Sequence, residues 1–272
     1  MSTPRDMRRL SINQITVRDW SLTEAAEGLA RHGIGGIGVW PERVEEVGLE
    51  RSVNLLRAHD LHVSSVCRAG FFTAQADPSA VSDANRRAIE ITQAVGGDCL
   101  YIVCGGMEAD NDLAGARAKA LEGLAAMAVE AESAGVALAL EPLHPMMTAD
   151  RCVIVSLAQA LDMADEVGSP AVGIAVDSYN VWWDPQLVSS LERAGDRVIS
   201  YQICDWLVPQ PHPVFGRGIP GDGVIDLAGL TRHVDAVGYD GPIEVEIFNE
   251  EVWSRDPDEV IALIRDRFPS VG

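Results

Sequence analysis

Eight apolar runs, each followed by a longer segment of helical pattern, recur along the 272 residues at a spacing of about 30–35. They are Leu10–Val17, Gly33–Trp40, Leu61–Arg68, Cys99–Cys104, Val136–Leu140, Val172–Val176, Val198–Cys204 and Ile243–Phe248. Their apolar residues run on rather than alternate. A strand of that kind is buried on both faces, as in a parallel sheet covered by helices. An open doubly wound sheet would share this rhythm, but no dinucleotide-type glycine fingerprint accompanies it. Eight regular units in a chain close to the usual ~250 residues of a closed barrel favour an α/β fold, a single (β/α)8 barrel with residues 1–272 as one domain.

The intervening segments carry helix signals. Ser21 and Glu24 form a capping-box pattern ahead of a helix to about His32. Pro41 opens a helix to about His59, and Pro78 one to about Val95. Ala, Leu and Glu dominate Leu113–Ser133, a strong helical composition closed by Gly135. Further helices are expected over Ser156–Glu166, Pro185–Arg193, Asp226–Val237 and Pro257–Arg267. The glycines of Gly33–Trp40 allow neighbouring elements to approach closely.

Charge narrows the function classes. With 21 basic and 41 acidic residues, the formal charge is −20, a surface that repels phosphate backbones and excludes nucleic acid as a partner. No apolar segment follows the charged MSTPRDMRRL start, and no uninterrupted 18-residue apolar run occurs, so neither a signal peptide nor a membrane span is expected. The five cysteines (Cys67, Cys99, Cys104, Cys152 and Cys204) form no CxxC pair and mostly lie in apolar runs, as reduced buried thiols of a cytoplasmic protein would.

Four of the runs end in an oxygen-bearing side chain. VALALEPLHP reaches Glu141, VGIAVDSYN reaches Asp177, VISYQICDW reaches Gln202 and GPIEVEIF reaches Glu246. Barrel active sites lie at the C-terminal ends of the strands, and strand residues alternate between lumen and helix layer. By that parity Glu141 shares a face with Ala139 and Ala137, Asp177 with Ala175 and Gly173, and Gln202 with Ser200. These small neighbours leave room for an ion and a substrate; Glu246 differs in having Glu244 below it. Three converging carboxylates repel one another in a partly desolvated mouth, and a divalent cation would relieve that. An all-oxygen set suits Mn²⁺ or Mg²⁺, with Co²⁺ as an alternative, better than a structural Zn²⁺.

The stretches EPLHPM (141–146), DSYNVWWDP (177–185), QICDWLVP (202–209), GDGVID (221–226) and EVEIF (244–248) resemble the xylose isomerase-like TIM-barrel superfamily, the sugar phosphate isomerase/epimerase group, over essentially the whole chain. The resemblance implies metal ligation by Glu141, Asp177, Gln202 and Glu246. It implies proton transfer beside a metal-bound carbonyl through a cis-enediolate, with Glu141 and Glu246 as catalytic acid and base. It also implies a substrate contact at Arg217. Two positions depart from the pattern: Gln202 and Asn180 stand where members typically carry His. Gln202 can still ligate through its amide oxygen, as 3-dehydroshikimate dehydratases of the superfamily resemble; Asn180 can contact substrate but carries no proton.

His144, in the turn after the fifth run, is either a turn-stabilising residue or a substrate contact that could shuttle a proton. Arg68, at the tip of the third run, is placed to face the mouth. Trp182, Trp183 and Trp206 could stack on a sugar ring or pack against the barrel. The expectation is therefore a divalent-metal isomerase or epimerase of a small carbohydrate or cyclitol ketone. A lyase or dehydratase on the same site is the alternative, and a decayed, non-catalytic barrel a further one. Relatives of this kind often dimerise or tetramerise, so a homo-oligomer is also expected.

Overall fold

The computed structural model describes residues 6–73, 77–107 and 111–271. Eight parallel strands close on themselves: β1 (Leu10–Asn13), β2 (Gly36–Val39), β3 (His62–Gly70), β4 (Leu100–Val103), β5 (Leu138–Leu140), β6 (Val172–Asp177), β7 (Val198–Ile203) and, after a two-stranded ribbon of β8 (Asp205–Trp206) and β9 (Arg217–Gly218), β10 (Ile243–Val245). β1 pairs with both β2 and β10, which completes the (β/α)8 barrel. The ribbon is antiparallel, with Trp206 opposite Arg217.

Helix ends follow local chemistry. The Ser21 hydroxyl accepts from the Glu24 amide at 3.2 Å while the Glu24 carboxylate accepts from the Ser21 amide at 2.8 Å, so α1 (Leu22–Arg31) starts in the expected capping box. Two expectations are corrected. The first strand stops at Asn13, whose side chain accepts from the Ile15 amide and caps a 3₁₀ turn over Gln14–Val17. The helix expected from Pro41 to His59 is two helices, α2 (Pro41–Val47) and α3 (Leu49–Ala58), split at Gly48, whose φ of 93° no helical residue adopts.

The main core lies between strands and helices, and a second cluster of Cys67, Cys99, Tyr101, Ala139 and Ala175 fills the barrel interior. Ala139 and Ala175 were expected to leave space at the mouth; at their level Tyr101 takes it, its hydroxyl 2.8 Å from Ser200 Oγ. All five cysteines are buried free thiols. Among the described residues no helix is long and apolar enough to cross a membrane.

Candidate active site

Strand register sets the four oxygen side chains around the mouth. Asp177 is level with Gln202 across β6 and β7, and Gln202 with Glu244 across β7 and β10. Glu246 comes two residues beyond Glu244, and Glu141 directly after β5. All four are buried.

Polar partners hold each group in place. Asn180 Nδ2 donates to Glu141 Oε1 at 3.0 Å and to Asp177 Oδ2 at 2.8 Å, and its oxygen accepts from the His144 amide at 3.1 Å. Arg217 Nη1 donates to Asp177 Oδ2 at 2.9 Å and to Glu246 Oε2 at 2.8 Å. The ribbon brings Arg217 back to the mouth. The Arg217 amide donates to the Phe248 carbonyl, Asn249 Nδ2 donates to the Arg217 carbonyl, and the Arg217 guanidinium sits 4.8 Å from the Tyr179 ring and 5.0 Å from that of Phe248. The D of QICD, Asp205, organises the loop behind: its carboxylate accepts from the amides of Trp206, Gly221 and Ile225.

Below the mouth, Glu244 lies in a cage of neutral donors. Its Oε1 accepts from Asn13 Nδ2 and Gln202 Nε2, each at 2.7 Å, and its Oε2 from Ser64 at 2.5 Å and Ser65 at 2.8 Å. Gly38 is required here, because a Cβ at that position would fall 2.6 Å from the carboxylate oxygens. The cage also orients Gln202. With its amide nitrogen committed to Glu244, its oxygen is buried and has no hydrogen-bond partner among the described residues.

That orphaned oxygen is the best measure of whether a cation fits. Three carboxylates and an unsatisfied amide oxygen are the donors a hard divalent ion takes, and one guanidinium against three carboxylates leaves negative charge to neutralise. The arrangement also corrects the argument from repulsion: Arg217 supplies a counter-charge within the protein, and Asn180 a hydrogen-bond bridge. With Arg217 Nη1 between Asp177 and Glu246, no three His, Cys, Asp or Glu side chains among the described residues converge to hold a metal. The donors fit the ion in kind, and binding it requires the carboxylates to turn from Nη1.

The charge excess is visible in proton affinities. Burial, then Asp177 and Glu246, pushes the Glu141 carboxyl well above its ordinary value. Burial raises Glu246 to about 7 even though Arg217 pulls it down. Asp177 is raised by burial against the same guanidinium. A bound cation would lower all three.

Beside these groups opens a cavity of about 380 Å³, within the range of small-molecule sites. Glu141, Glu246, Arg217 and Arg68 line it, with Cys67, Tyr101, Phe71, Leu143, Tyr179 and Phe248 among the walls. Asp177 and Gln202 lie behind that surface, as does Asn180, whose amide is spent on the two carboxylates and His144. His144 is outside the lining too: its Nδ1 accepts from the Met146 amide, and its ring packs 4.8 Å from Trp206 and 5.8 Å from Trp183. The three tryptophans join this packing rather than the cavity wall. Arg151 and Tyr101 line the cavity and escaped the sequence reading. Parity along CLYIVC could have found Tyr101, but no local pattern marks Arg151.

The profile of the family described as xylose isomerase-like TIM barrel matches residues 26–267. The chain belongs to that family. It is similar to a solved protein of Sinorhizobium meliloti 1021, at 42% identity and a TM-score of 0.93 over 98% of this chain and 99% of that one. The IOLI protein, solved with a binding zinc atom, shares the fold at 21% identity and a TM-score of 0.81 over 95% of each chain. Inosose isomerase of Bacillus velezensis is 28% identical over 148 residues, 52% of this chain and 50% of that protein. The chain thus spans about half the length of the first curated relative it matches. It spans 36% of another, the 3-dehydroshikimate dehydratase of Pseudomonas putida, 22% identical over 85% of this chain.

Proposed function

We propose that this barrel mouth moves a proton at the carbon beside the carbonyl of a small polyhydroxylated ketone, and so isomerises or epimerises it, with a divalent cation held by Glu141, Asp177, Gln202 and Glu246. The observation that carries this reading is the pair Glu141 and Glu246, two buried carboxylates in the wall of one cavity and each held by its own donor, Asn180 or Arg217. A base works best with a pKa near the working pH, and burial raises the Glu246 carboxyl to about 7 before a cation is held, leaving it room to come down as the cation binds.

Glu246 takes or returns the proton on carbon, and Glu141 serves the other oxygen or carbon position. Before the cation is held, Arg217 fixes the direction of the Glu246 carboxylate, while Asn180 does the same for Glu141 and Asp177. Tyr101, Phe71 and Phe248 exclude water around the reacting carbon. The cation supplies positive charge opposite the negative charge that develops on the substrate oxygens. Mn²⁺ or Mg²⁺ suits the all-oxygen donors, and the buried free thiols fit a reducing compartment such as the cytoplasm.

A lyase outcome shares the first proton abstraction and differs in the second step, the loss of a β-hydroxyl instead of return of the proton. Similarity to the dehydratase, together with the Gln202 ligand, favours it as the second reading. Stripping the protein with a chelator and reloading it with Mn²⁺, Mg²⁺, Co²⁺ or Zn²⁺ tests the proposal. Turnover should vanish on stripping and return with at least one ion, the product being an epimer or isomer rather than an unsaturated compound. Unchanged turnover in the stripped protein would remove the cation from the account.

A further inference from the structure

Arg68 and Arg151 differ from the other arginines of this chain. In a protein with 41 acidic and 21 basic residues, carboxylate partners are abundant, and Arg9, Arg31, Arg86, Arg87, Arg193, Arg217 and Arg267 all have one. Arginines without a partner, such as Arg51, Arg57, Arg232 and Arg255, stand exposed in water. Arg68 and Arg151 are half-buried in the wall of the active-site cavity, and among the described residues neither side chain makes a hydrogen bond or an ion pair. Asp150, beside Arg151 in the same wall, makes no ion pair with it.

Both guanidiniums are held there by structure. Arg68 lies two residues before the end of β3, its guanidinium 5.0 Å from the Trp40 ring and 5.1 Å from that of Phe71. Arg151 lies in the loop after β5, which is pinned to the end of β4. The Met107 amide donates to Ala149 at 2.9 Å, the Val153 amide to Gly105 at 2.9 Å, and a Cβ on Gly106 would fall 2.4 Å from the Ala149 carbonyl oxygen. The two cations are close enough to feel each other: after burial, Arg68 and then Arg217 are what most weaken proton binding at Arg151.

A half-buried guanidinium with no hydrogen-bonded counter-ion among the described residues gives up hydration for little return, since Glu246 and Asp150 act on Arg68 and Arg151 only through space. Its planar donor fork matches the paired oxygens of a carboxylate or phosphate, and a neutral hydroxyl would not neutralise it. We propose that Arg68 and Arg151 form the subsite for an anionic head group, so that the substrate of this cavity is a polyhydroxylated ketone bearing a carboxylate or a phosphate monoester. This rests on the cavity being the substrate site proposed above, and narrows that site from sugars in general to sugar or cyclitol acids and esters. In a chain of net charge −20, such a pair also gives an anion one place to settle.

Calorimetric titration with three probes tests the subsite without turnover: shikimate for a cyclic carboxylate, glucose 6-phosphate for a phosphate ester, and myo-inositol for a neutral polyol. At least one anionic probe should bind about tenfold or more tighter than myo-inositol, and its affinity should fall as salt rises. Whichever binds names the head group. Arg151→Met should weaken that probe by about tenfold or more while the melting temperature holds; Arg151→Lys should recover part of the loss for phosphate and less for the bidentate carboxylate. Equal binding of all three, or anion binding untouched in Arg151→Met and in Arg68→Lys, would overturn the proposal. Proton exchange on a neutral ketone with no preference for anions would sink this subsite and leave the enolisation reading standing; tight anion binding without any proton exchange would do the reverse.

Discussion

Glu244 and Glu246 are the same residue type, two positions apart on one strand end, and both are buried, yet they are built for different purposes. Glu244 meets four neutral donors, lies outside the lining of the active-site cavity and sits against the backbone of Gly38. Glu246 meets one guanidinium, lines the cavity and is raised to about 7 by its burial. A carboxylate enclosed by hydrogen bonds stabilises a single arrangement, here the tie between β1, β3, β7 and β10. One left short of partners keeps its capacity to exchange a proton or take a cation. The contrast separates scaffold from chemistry within 2 residues of chain.

Four variants put that contrast at risk. The largest effect belongs to Glu246→Gln, which should cut turnover by about 10²–10⁴-fold with little change in thermal melting, since it keeps the shape and removes the base. Normal turnover in that variant would put Glu246 on the scaffold side. Next is Glu244→Ala, expected to cost on the order of 3 kcal/mol or more, because it strands the buried amides of Asn13 and Gln202. For chains near this size that is a fall of roughly 6–12 °C in melting temperature; a loss below about 1 kcal/mol would mean the cage is not holding the barrel.

Arg217→Met comes third and is read in the pH profile. The base acts deprotonated, so activity of the cation-loaded protein should rise with pH along a limb set below the value of about 7 that burial gives Glu246 without the cation. Arg217 lowers the Glu246 value, and removing it should move that limb to higher pH. A limb that stays in place would separate Arg217 from the base. Smallest is the surface pair His62–Asp98, 2.6 Å apart with the imidazole about half exposed. Asp98 raises the His62 pKa above 6.5, so its contribution is present below that pH and lost as pH rises through the folded value. Solvent screening holds it well under about 1 kcal/mol, and denaturant melts of His62→Gln at pH 5.5 and 8.5 should differ from the parent only at the lower pH.

The barrel and the ring of oxygen side chains at its mouth were legible because strand burial and alternation are local. Parity along VALALE, VGIAVD, VISYQ and GPIEVE puts Glu141, Asp177, Gln202 and Glu246 on the lumen side with no knowledge of loops. What crosses between elements was not. Arg217 was reached through the family resemblance, but its place between Asp177 and Glu246 depends on the β8–β9 ribbon, so the charge argument treated three carboxylates as bare. Arg151 was missed because a bridge between Gly105 and Cys152, 47 positions apart, sets its loop. His144 and Asn180 sit in recognisable motifs, yet the hydrogen bond between them turns both toward positioning the carboxylates.

Solvent deuterium wash-in, monitored by NMR in D₂O, tests the central claim most directly. The Mn²⁺- or Mg²⁺-loaded protein would be incubated with inosose, 3-dehydroshikimate and a panel of ketoses and their acids and phosphates. The account predicts deuterium beside the carbonyl of at least one of them, lost in Glu246→Gln. No wash-in with any, in a protein that also retains no stoichiometric ion, would contradict it and leave a barrel whose mouth has ceased to catalyse.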